Sequence, residues 1–304
     1  MAARTWHESL SCEVIYSMYT SYVDRIKLAP DSEETLFIQN QRRTCYSGIY
    51  PFKIFPQKEL EELELGPITI FYGGNGSGKT TLLNVIAEKL QVLRHAAFSG
   101  SAFFAEYVSL CEVSAKEIPQ NSQILTSDDV FDYLLNMRYL NDGIDIRREE
   151  LFEDYVSRKW EKHRNLKGMD DYDDWKISCD AKSKSQSSFV RDRLARNVDM
   201  FSNGESAMKY FTDHITEDAL YLLDEPENSL SFTLQMELGK YISDSAKHFG
   251  CQFIMATHSP VLLSISDALI YDFDETPVET KKWTELDNVR RYFNFFEEHR
   301  SEFL

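Results

Sequence analysis

The sequence predicts an α/β fold in which a mixed central sheet lies beside an antiparallel β subdomain and is divided by a helical insertion. Three observations favour it. A β-branched and aromatic run at 68–72 leads into a glycine-rich loop and then into residues with helical spacing. Two later runs, at 219–223 and 252–257, have the continuous hydrophobicity of buried parallel strands. Residues 96–200 carry few strand signals and many charges, which is typical of a mainly helical segment.

The first 95 residues are expected to hold the β subdomain and the first part of the core. Val23–Leu28 alternates apolar and polar residues, as a half-buried strand does. Thr35–Ile38 is interpreted as a second strand and Tyr50–Phe55 as a third. Either Tyr50 or Phe55 could stack on an adenine ring, but packing in the core is the commoner role and is favoured here.

The glycine-rich loop is the strongest motif of the chain. It reads Gly73-Gly74-Asn75-Gly76-Ser77-Gly78-Lys79-Thr80 and fits the phosphate-binding pattern G-x-x-x-x-G-K-[ST] between a strand and a helix. Glycines let the backbone curl so that successive N–H groups point at phosphate oxygens, and the helix N-terminus adds partial positive charge. Lys79 is expected to bridge the β- and γ-phosphates, Thr80 to ligate Mg²⁺, and Thr81 to complete the nucleotide-binding set.

The segment 96–200 is interpreted as an insertion that divides the core. Tyr107–Leu110 and Ser122–Thr126 are predicted as short strands, and Ser127–Asp129 as the start of a helix. A second helical stretch is expected over 147–175. Because no heptad pattern is sustained, the sequence predicts no long coiled coil.

From residue 201 to 304 the predicted core resumes. Ala219–Leu223 ends in Asp224 and Glu225, and Gln252–Thr257 ends at His258. The carboxyl ends of parallel strands are where open α/β sheets place their ligands. Asp224 is therefore expected to hold Mg²⁺, and Glu225 to orient and deprotonate an attacking water.

The remaining C-terminal elements complete this half. Helical spacing predicts a helix over 234–249, and a strand is expected over 267–273. The tail from Trp283 to Leu304 alternates aromatic and charged residues, which predicts an amphipathic helix packed on the body.

Composition narrows the classes of partner. The 304 residues include 33 Lys plus Arg and 50 Asp plus Glu, for a net charge of -17. This balance gives no support for nucleic acid or an anionic membrane as partner, although a local basic patch stays compatible with it. Five scattered cysteines without a C-x-x-C pair favour a reducing compartment over disulfides or zinc. No apolar stretch is long enough for a membrane span, so a cytoplasmic protein is expected.

Together these motifs resemble those of the ABC-type ATPase family, and within it the soluble SMC-like heads. Gly73–Thr80 matches Walker A and Tyr221–Glu225 matches Walker B with its glutamate. Phe201–Ser206 resembles the signature L-S-G-G-[QE], with Asn203 in place of the first glycine. Glu227–Leu230 stands at the D-loop, and Ala256–Pro260 matches the switch histidine. The segment between Walker A and the signature is too short for coiled-coil arms, and the Q-loop residue is left open between Gln123 and Asp128.

The resemblance implies a mechanism. Two heads would form a homodimer that sandwiches ATP and Mg²⁺, with Ser202, Gly204 and Glu205 of one copy facing the nucleotide bound by the other. His258 would sense the γ-phosphate. Hydrolysis would open the dimer and switch a protein partner, by analogy in a bacterial (antiviral) defence system. Two alternatives stay open: the nucleotide-binding subunit of an ABC transporter, and a non-hydrolysing scaffold locked by ATP.

Overall fold

We describe the chain from a computed structural model, which covers residues 20–42, 45–46, 48–162, 171–198 and 201–304. The chain divides into two compact units. One holds the described residues up to Val130 together with Asn203–Leu304, and the other holds the described residues of Phe131–Ser202. The boundaries drawn from the sequence, 1–95, 96–200 and 201–304, stay a prediction.

The larger unit is built on a six-stranded sheet, which confirms the predicted α/β class. The strand order is β5-β6-β7-β3-β8-β9, and the pairs are parallel except for β8 with β9. Continuous apolar runs form the central strands because both faces of this sheet are covered: β3, β6 and β7 are buried almost throughout. The strands are β3 (Ile68–Tyr72), β5 (Gln123–Thr126), β6 (Leu220–Asp224), β7 (Gln252–Ala256), β8 (Leu269–Asp272) and β9 (Glu279–Thr280).

The same unit contains the predicted antiparallel sheet, but with different members. Its order is β2-β1-β4, formed by Glu62–Glu64, Val23–Lys27 and Glu112–Ala115. The strand predicted over Val23–Leu28 is confirmed as β1. Gln252 ties this sheet to the central one, because its side-chain oxygen accepts from Val23 N–H at 2.9 Å and its amide donates to Val23 O at 2.8 Å.

Three of the predicted short strands are wrong. Thr35–Ile38 lies in helix α1 (Asp31–Asn40), whose first turn carries three acidic residues at the positive end of the helix dipole. Tyr50–Phe55 forms turns before a short 3₁₀ helix, and Tyr107–Leu110 lies in helix α3 (Phe104–Leu110). Short apolar runs fit a buried helix as well as a strand, and here tertiary packing decided for the helix or turn.

The remaining helices follow the predicted pattern more closely. The helix after the glycine loop is α2, and the helix predicted from Ser127 is α4, which runs for 34 residues. The smaller unit is helical, with Leu151, Ala181, Phe189 and Val190 in its core. The helices are α2 (Lys79–Leu90), α4 (Ser127–Trp160), α5 (Tyr172–Ser183), α6 (Gln186–Arg191), α7 (Asn203–His214), α8 (Phe232–His248), α9 (Pro260–Leu263) and α10 (Asp287–Glu298).

The C-terminal helix α10 departs from its expected packing. Leu286 and Val289 are buried where the helix begins, and Asn288 N–H donates to the Tyr72 hydroxyl at 3.2 Å. From Arg290 to Glu298 the described side chains are exposed. The helix is therefore anchored at its first turn and projects its aromatic residues outward.

Candidate functional site

The glycine-rich loop lies between β3 and α2, as predicted. Gly76 and Gly78 have φ of 78° and 100°, a region that favours glycine. A Cβ on Gly73 would lie 2.8 Å from the Ser77 hydroxyl oxygen, so this position also has no room for a side chain. The loop thus adopts the tight curl that turns backbone N–H groups toward a bound phosphate.

Lys79 is held inside this loop. Its side chain is only 4% exposed, and its ammonium donates to the carbonyls of Gly73 and Gly74 at 2.6 and 2.9 Å. Burial lowers the pKa of Lys79, and the surrounding carboxylates, with Glu225 the largest contributor, oppose that shift. A buried cation among carboxylates is poised for an anionic ligand, because phosphate oxygens would replace the two neutral carbonyls with charged acceptors.

Sheet register brings the predicted carboxylates to the loop. Ala256 of β7 pairs with Phe71 on one side and with Asp224 on the other, so three strands end level with one another. Thr80 Oγ1 donates to Asp224 Oδ1 at 3.0 Å. The two predicted metal ligands are therefore in direct contact.

The pKa of Asp224 is raised to about 6, chiefly by burial, while the Thr80 hydrogen bond lowers it. Within the described residues no group of three or more His, Cys, Asp or Glu forms a metal site of its own. Thr80 and Asp224 supply two hard oxygens, which suits Mg²⁺ completed by phosphate oxygens and water. The donor set fits that ion.

Glu225 follows at the strand end in a left-handed conformation, with φ of 48°. Its N–H donates to Ala256 O at 2.9 Å, and its Oε2 accepts from Asn228 Nδ2 at 3.1 Å. The residue borders a cavity of about 730 Å³ beside the phosphate loop. Its carboxylate is thus oriented by Asn228 on the side where a nucleotide would lie.

His258 lies at the same edge, and its backbone N–H is held by an acid that the sequence placed in the D-loop without assigning it a contact. Glu227 is 7% exposed, and its Oε1 accepts from His258 N–H at 2.9 Å. The same oxygen is 3.5 Å from His258 Nδ1. Since Glu227 Oε2 is buried without a hydrogen-bond partner in the described part of the chain, this carboxylate is positioned by His258 rather than by solvent.

The cavity extends from the phosphate loop to the N-terminal segment. Tyr50 lines it and its hydroxyl is 3.0 Å from Thr81 Oγ1, whereas Phe55 is fully buried. Phe55 therefore has the core position that the sequence analysis favoured for both aromatic residues. Tyr50 instead lies beside the cavity. The other lining residues are Ile54, Gln57, Lys58, Asn75, Gly76, Ser77, Gly78, Lys79, Thr80, Thr81, Glu225 and Thr276.

Asp274 is a second residue that sequence reasoning missed. Its Oδ1 accepts from Gly74 N–H at 2.7 Å, and a Cβ on Gly73 would approach the same oxygen to 3.1 Å. Asp274 therefore shapes the first turn of the phosphate loop. The only sequence feature that points to this role is the position of Asp274 two residues beyond Asp272, where strand β8 ends.

The predicted signature residues do not line this cavity. Ser202 and Glu205 are exposed, and Gly204 lies in the first turn of α7. A Cβ on Gly204 would lie 2.8 Å from Leu234 Cδ1 and 3.2 Å from Ser229 O. The start of α7 thus lies close against the D-loop segment, and a side chain at position 204 would require Leu234 and the Ser229 carbonyl to shift.

Of the two Q-loop candidates, Gln123 is wrong. It lies at the opposite end of β5 from Thr126, the residue that pairs with Asp224, and its side-chain amide donates to His214 O at 2.7 Å. Asp128 is exposed in the first turn of α4, just beyond that strand's carboxyl end. Asp128 therefore stays the candidate.

Comparison with known proteins gives three kinds of match. Residues 191–264 match a family model described as an AAA domain, putative AbiEii toxin, Type IV TA system. The petrobactin import ATP-binding protein YclP of Bacillus subtilis is 22% identical over 224 residues, which cover 73% of this chain and 78% of that protein.

Solved structures give weaker similarity. The Smc head domain of Pyrococcus furiosus, with an extended coiled coil and bound to the C-terminal domain of ScpA, is 13% identical with a TM-score of 0.41, covering 92% of this chain and 99% of that one. CbiO1 of Clostridium perfringens, part of the ABC transporter complex CbiONQ, is 14% identical with a TM-score of 0.35, covering 90% of this chain and 94% of that one.

Within the described residues no helix is long and apolar enough to cross a membrane. In its sheet, its phosphate loop and the order of its motifs this chain is similar to the ABC-type P-loop ATPases.

Proposed function

We propose that this protein binds and hydrolyses ATP with Mg²⁺, dimerises head to head around the nucleotide, and thereby switches a protein partner. The observation that carries the proposal is the convergence of Lys79, Thr80 and Asp224 with Glu225 at one sheet edge. ATP binding is further supported by the relative whose printed name includes an ATP-binding function.

Each residue has a role in this reaction that follows from its contacts. Lys79 would exchange the Gly73 and Gly74 carbonyls for phosphate oxygens. Thr80 and Asp224 would hold Mg²⁺, which when bound neutralises phosphate charge. Glu225 would accept a proton from the attacking water, with Asn228 holding its second oxygen.

The position of the signature supports the dimeric half of the proposal. Ser202 and Glu205 are exposed and do not border the cavity of their own copy. A second copy would present these residues, with the Gly204 N–H, to the γ-phosphate across the interface, where a helix N-terminus favours an anion. Because hydrolysis removes the group gripped from both sides, it would open the dimer.

The experiment that tests this proposal uses Glu225→Gln. Removing the base while leaving the binding groups intact is expected to stop turnover and to trap an ATP-dependent dimer, measured by light scattering after size-exclusion chromatography. A monomer at every ATP and Mg²⁺ concentration would contradict the sandwich. ATP binding without phosphate release by the wild-type protein and its partner would favour a scaffold locked by nucleotide.

Two biological settings have support of different kinds. The matched toxin-system family model supports a role in bacterial defence. The similarity to an import ATP-binding protein supports the alternative, a transporter subunit. Affinity purification with and without ATP separates them, because stable recovery of a membrane subunit would favour transport.

A further inference from the structure

Helix α10 presents an aromatic face that the described part of the chain leaves exposed. The helix is anchored at Val289, but four aromatic residues further along are between 49% and 67% exposed: Tyr292, Phe293, Phe295 and Phe296. Phe303 is 73% exposed, and its ring lies 6.4 Å from that of Phe296. A contiguous apolar patch of this kind commonly marks an interaction site.

The aromatic residues share one side of the helix. At 100° per residue, Tyr292, Phe293, Phe295 and Phe296 fall within an arc of about 160°. Phe295 and Phe296 contact each other with ring centroids 5.5 Å apart. The face is therefore continuous along the helix.

Charged residues border this face in a defined order. Arg290 and Glu297 are seven residues apart and lie on the flank beside Phe293, whereas Arg291 and Glu298 lie on the flank beside Phe295. The flank beside Phe293 is therefore positive in the first half of the helix and negative in the second half. The flank beside Phe295 has the same order at Arg291 and Glu298, with Asp287 beside Arg291 in the first turn.

These charges are available for other partners. Arg291 contacts Asp287 at 2.8 Å, and Glu297 contacts Arg300 at 3.1 Å. Both pairs are between surface-exposed side chains, and such pairs contribute little and exchange readily.

We propose that α10 pairs in antiparallel orientation with α10 of a second copy of this chain. Centred near residue 294, this pairing places Arg290 opposite Glu297 of the second copy and Arg291 opposite Glu298. Tyr292 then lies opposite Phe296. A two-fold axis repeats each contact, as in an isologous dimer. A parallel pair would instead place Arg290 against Arg291 and Glu297 against Glu298, which like-charge repulsion disfavours.

The available area is sufficient for such a dimer. With aromatic side chains of 150–250 Å² each, the exposed parts of the five rings amount to roughly 600 Å² per copy. Complete burial of these rings in both copies would give about 1,200 Å², the lower end of specific interfaces. The pairing needs no nucleotide, since no residue of α10 lines the cavity at the phosphate loop.

The test is sedimentation equilibrium of the full chain without nucleotide, so that an ATP sandwich contributes nothing. The wild-type protein is expected to form a reversible dimer. Arg290→Glu with Arg291→Glu makes both flanks negative, and Glu297→Arg with Glu298→Arg makes both positive. Each pair of substitutions is expected to weaken self-association by at least about tenfold, because like charges then meet across the interface.

Restoring the dimer with compensating substitutions tests the antiparallel orientation of the two helices. The protein carrying all four substitutions regains the complementary order and is expected to dimerise like the wild type. An equimolar mixture of the two double variants is expected to form a heterodimer. Phe296→Asp tests the aromatic face independently and should also weaken the dimer, with circular dichroism confirming that each variant is folded.

Three results would overturn the proposal: a wild-type protein that is monomeric at every concentration, a dimer unaffected by the double substitutions, or a four-residue variant that stays monomeric. The first would mean that the aromatic face serves another part of the chain or a different partner.

Discussion

The phosphate-loop edge and the signature turn differ in how much of their environment one copy supplies. Lys79 is buried and has two carbonyl acceptors, and Thr80 contacts Asp224 directly. Ser202 and Glu205 are exposed, outside the cavity that the loop borders. The first region makes its contacts within one copy, and the second is the region that the proposed dimer would bring against another copy. We therefore expect mutations in the first region to change turnover or ATP affinity, and mutations in the second region to change ATP-dependent dimerisation.

The largest effect is expected from Glu225→Gln at the phosphate-loop edge of the sheet. Loss of a general base lowers turnover by about 10²- to 10⁴-fold. Phosphate release measures this loss, and calorimetry should show that ATP still binds. Glu237→Gln, on the exposed side of α8, is the matched control and should keep full turnover. Equal activity of the two variants would remove Glu225 from the chemistry.

Lys79→Ala should weaken nucleotide binding itself. Truncating one partner of a buried charge pair costs about 2–5 kcal/mol, which is at least about 30-fold in affinity. Isothermal calorimetry measures the change. Lys89→Ala, which removes an ammonium bound to Val108 O at the far end of α2, should leave affinity unchanged. Similar dissociation constants for Lys79→Ala and wild type would contradict the phosphate role.

Gly204→Ala tests the other side of the comparison. Its Cβ would meet Leu234 and the Ser229 carbonyl, and such overpacking costs about 1–3 kcal/mol. ATP affinity of the monomer should persist while ATP-dependent dimerisation is lost. The control is Gly143→Ala inside helix α4, where an added Cβ would meet no heavy atom within 4 Å beyond its own helix backbone and where alanine is favoured. If both variants dimerise normally, the turn is not part of the interface.

The smallest effect is a pH dependence at Asp224. Burial raises its pKa from 3.8 to about 6, so its contribution to the free energy of unfolding is complete below the unfolded value and is lost as pH rises through about 6. Mg²⁺ requires the carboxylate, so Mg²⁺-dependent ATP affinity should fall about tenfold from about pH 7 to pH 5. Calorimetry across this range measures it, and Asp224→Asn, which lacks the carboxylate, is the control for the titration of ATP itself. A flat wild-type profile would contradict the assignment.

Much of the fold was predictable because its signals are local. The β3–loop–α2 unit, the Asp224 strand end and the helix from Ser127 depend on patterns within a few residues. Thr35–Ile38 and Tyr107–Leu110 failed because short apolar runs suit a helix that faces a core as well as a strand. Tyr107 is fully buried, and no periodicity within four residues could reveal the direction of its packing.

The arrangement of the candidate site was also predictable only in part. The contacts that the sequence missed are long-range ones. Motifs predicted that Lys79, Thr80 and Asp224 lie close together, but Glu227 and Asp274 act through hydrogen bonds to residues far away in the chain. Asp274 is separated from Gly74 by 200 residues. Gln123 was a reasonable Q-loop candidate by position, yet strand register placed it at the wrong end of β5.

The close approach at Gly204 has a mechanical consequence. Because the first turn of α7 rests on Ser229 and Leu234, only a few residues separate that contact from the carboxylate pair that ends β6. In the proposed dimer, a displacement of this strand end on cleavage of the nucleotide would be passed through that contact to the residues at the interface. The contact would therefore link hydrolysis in one copy to the hold on the other copy.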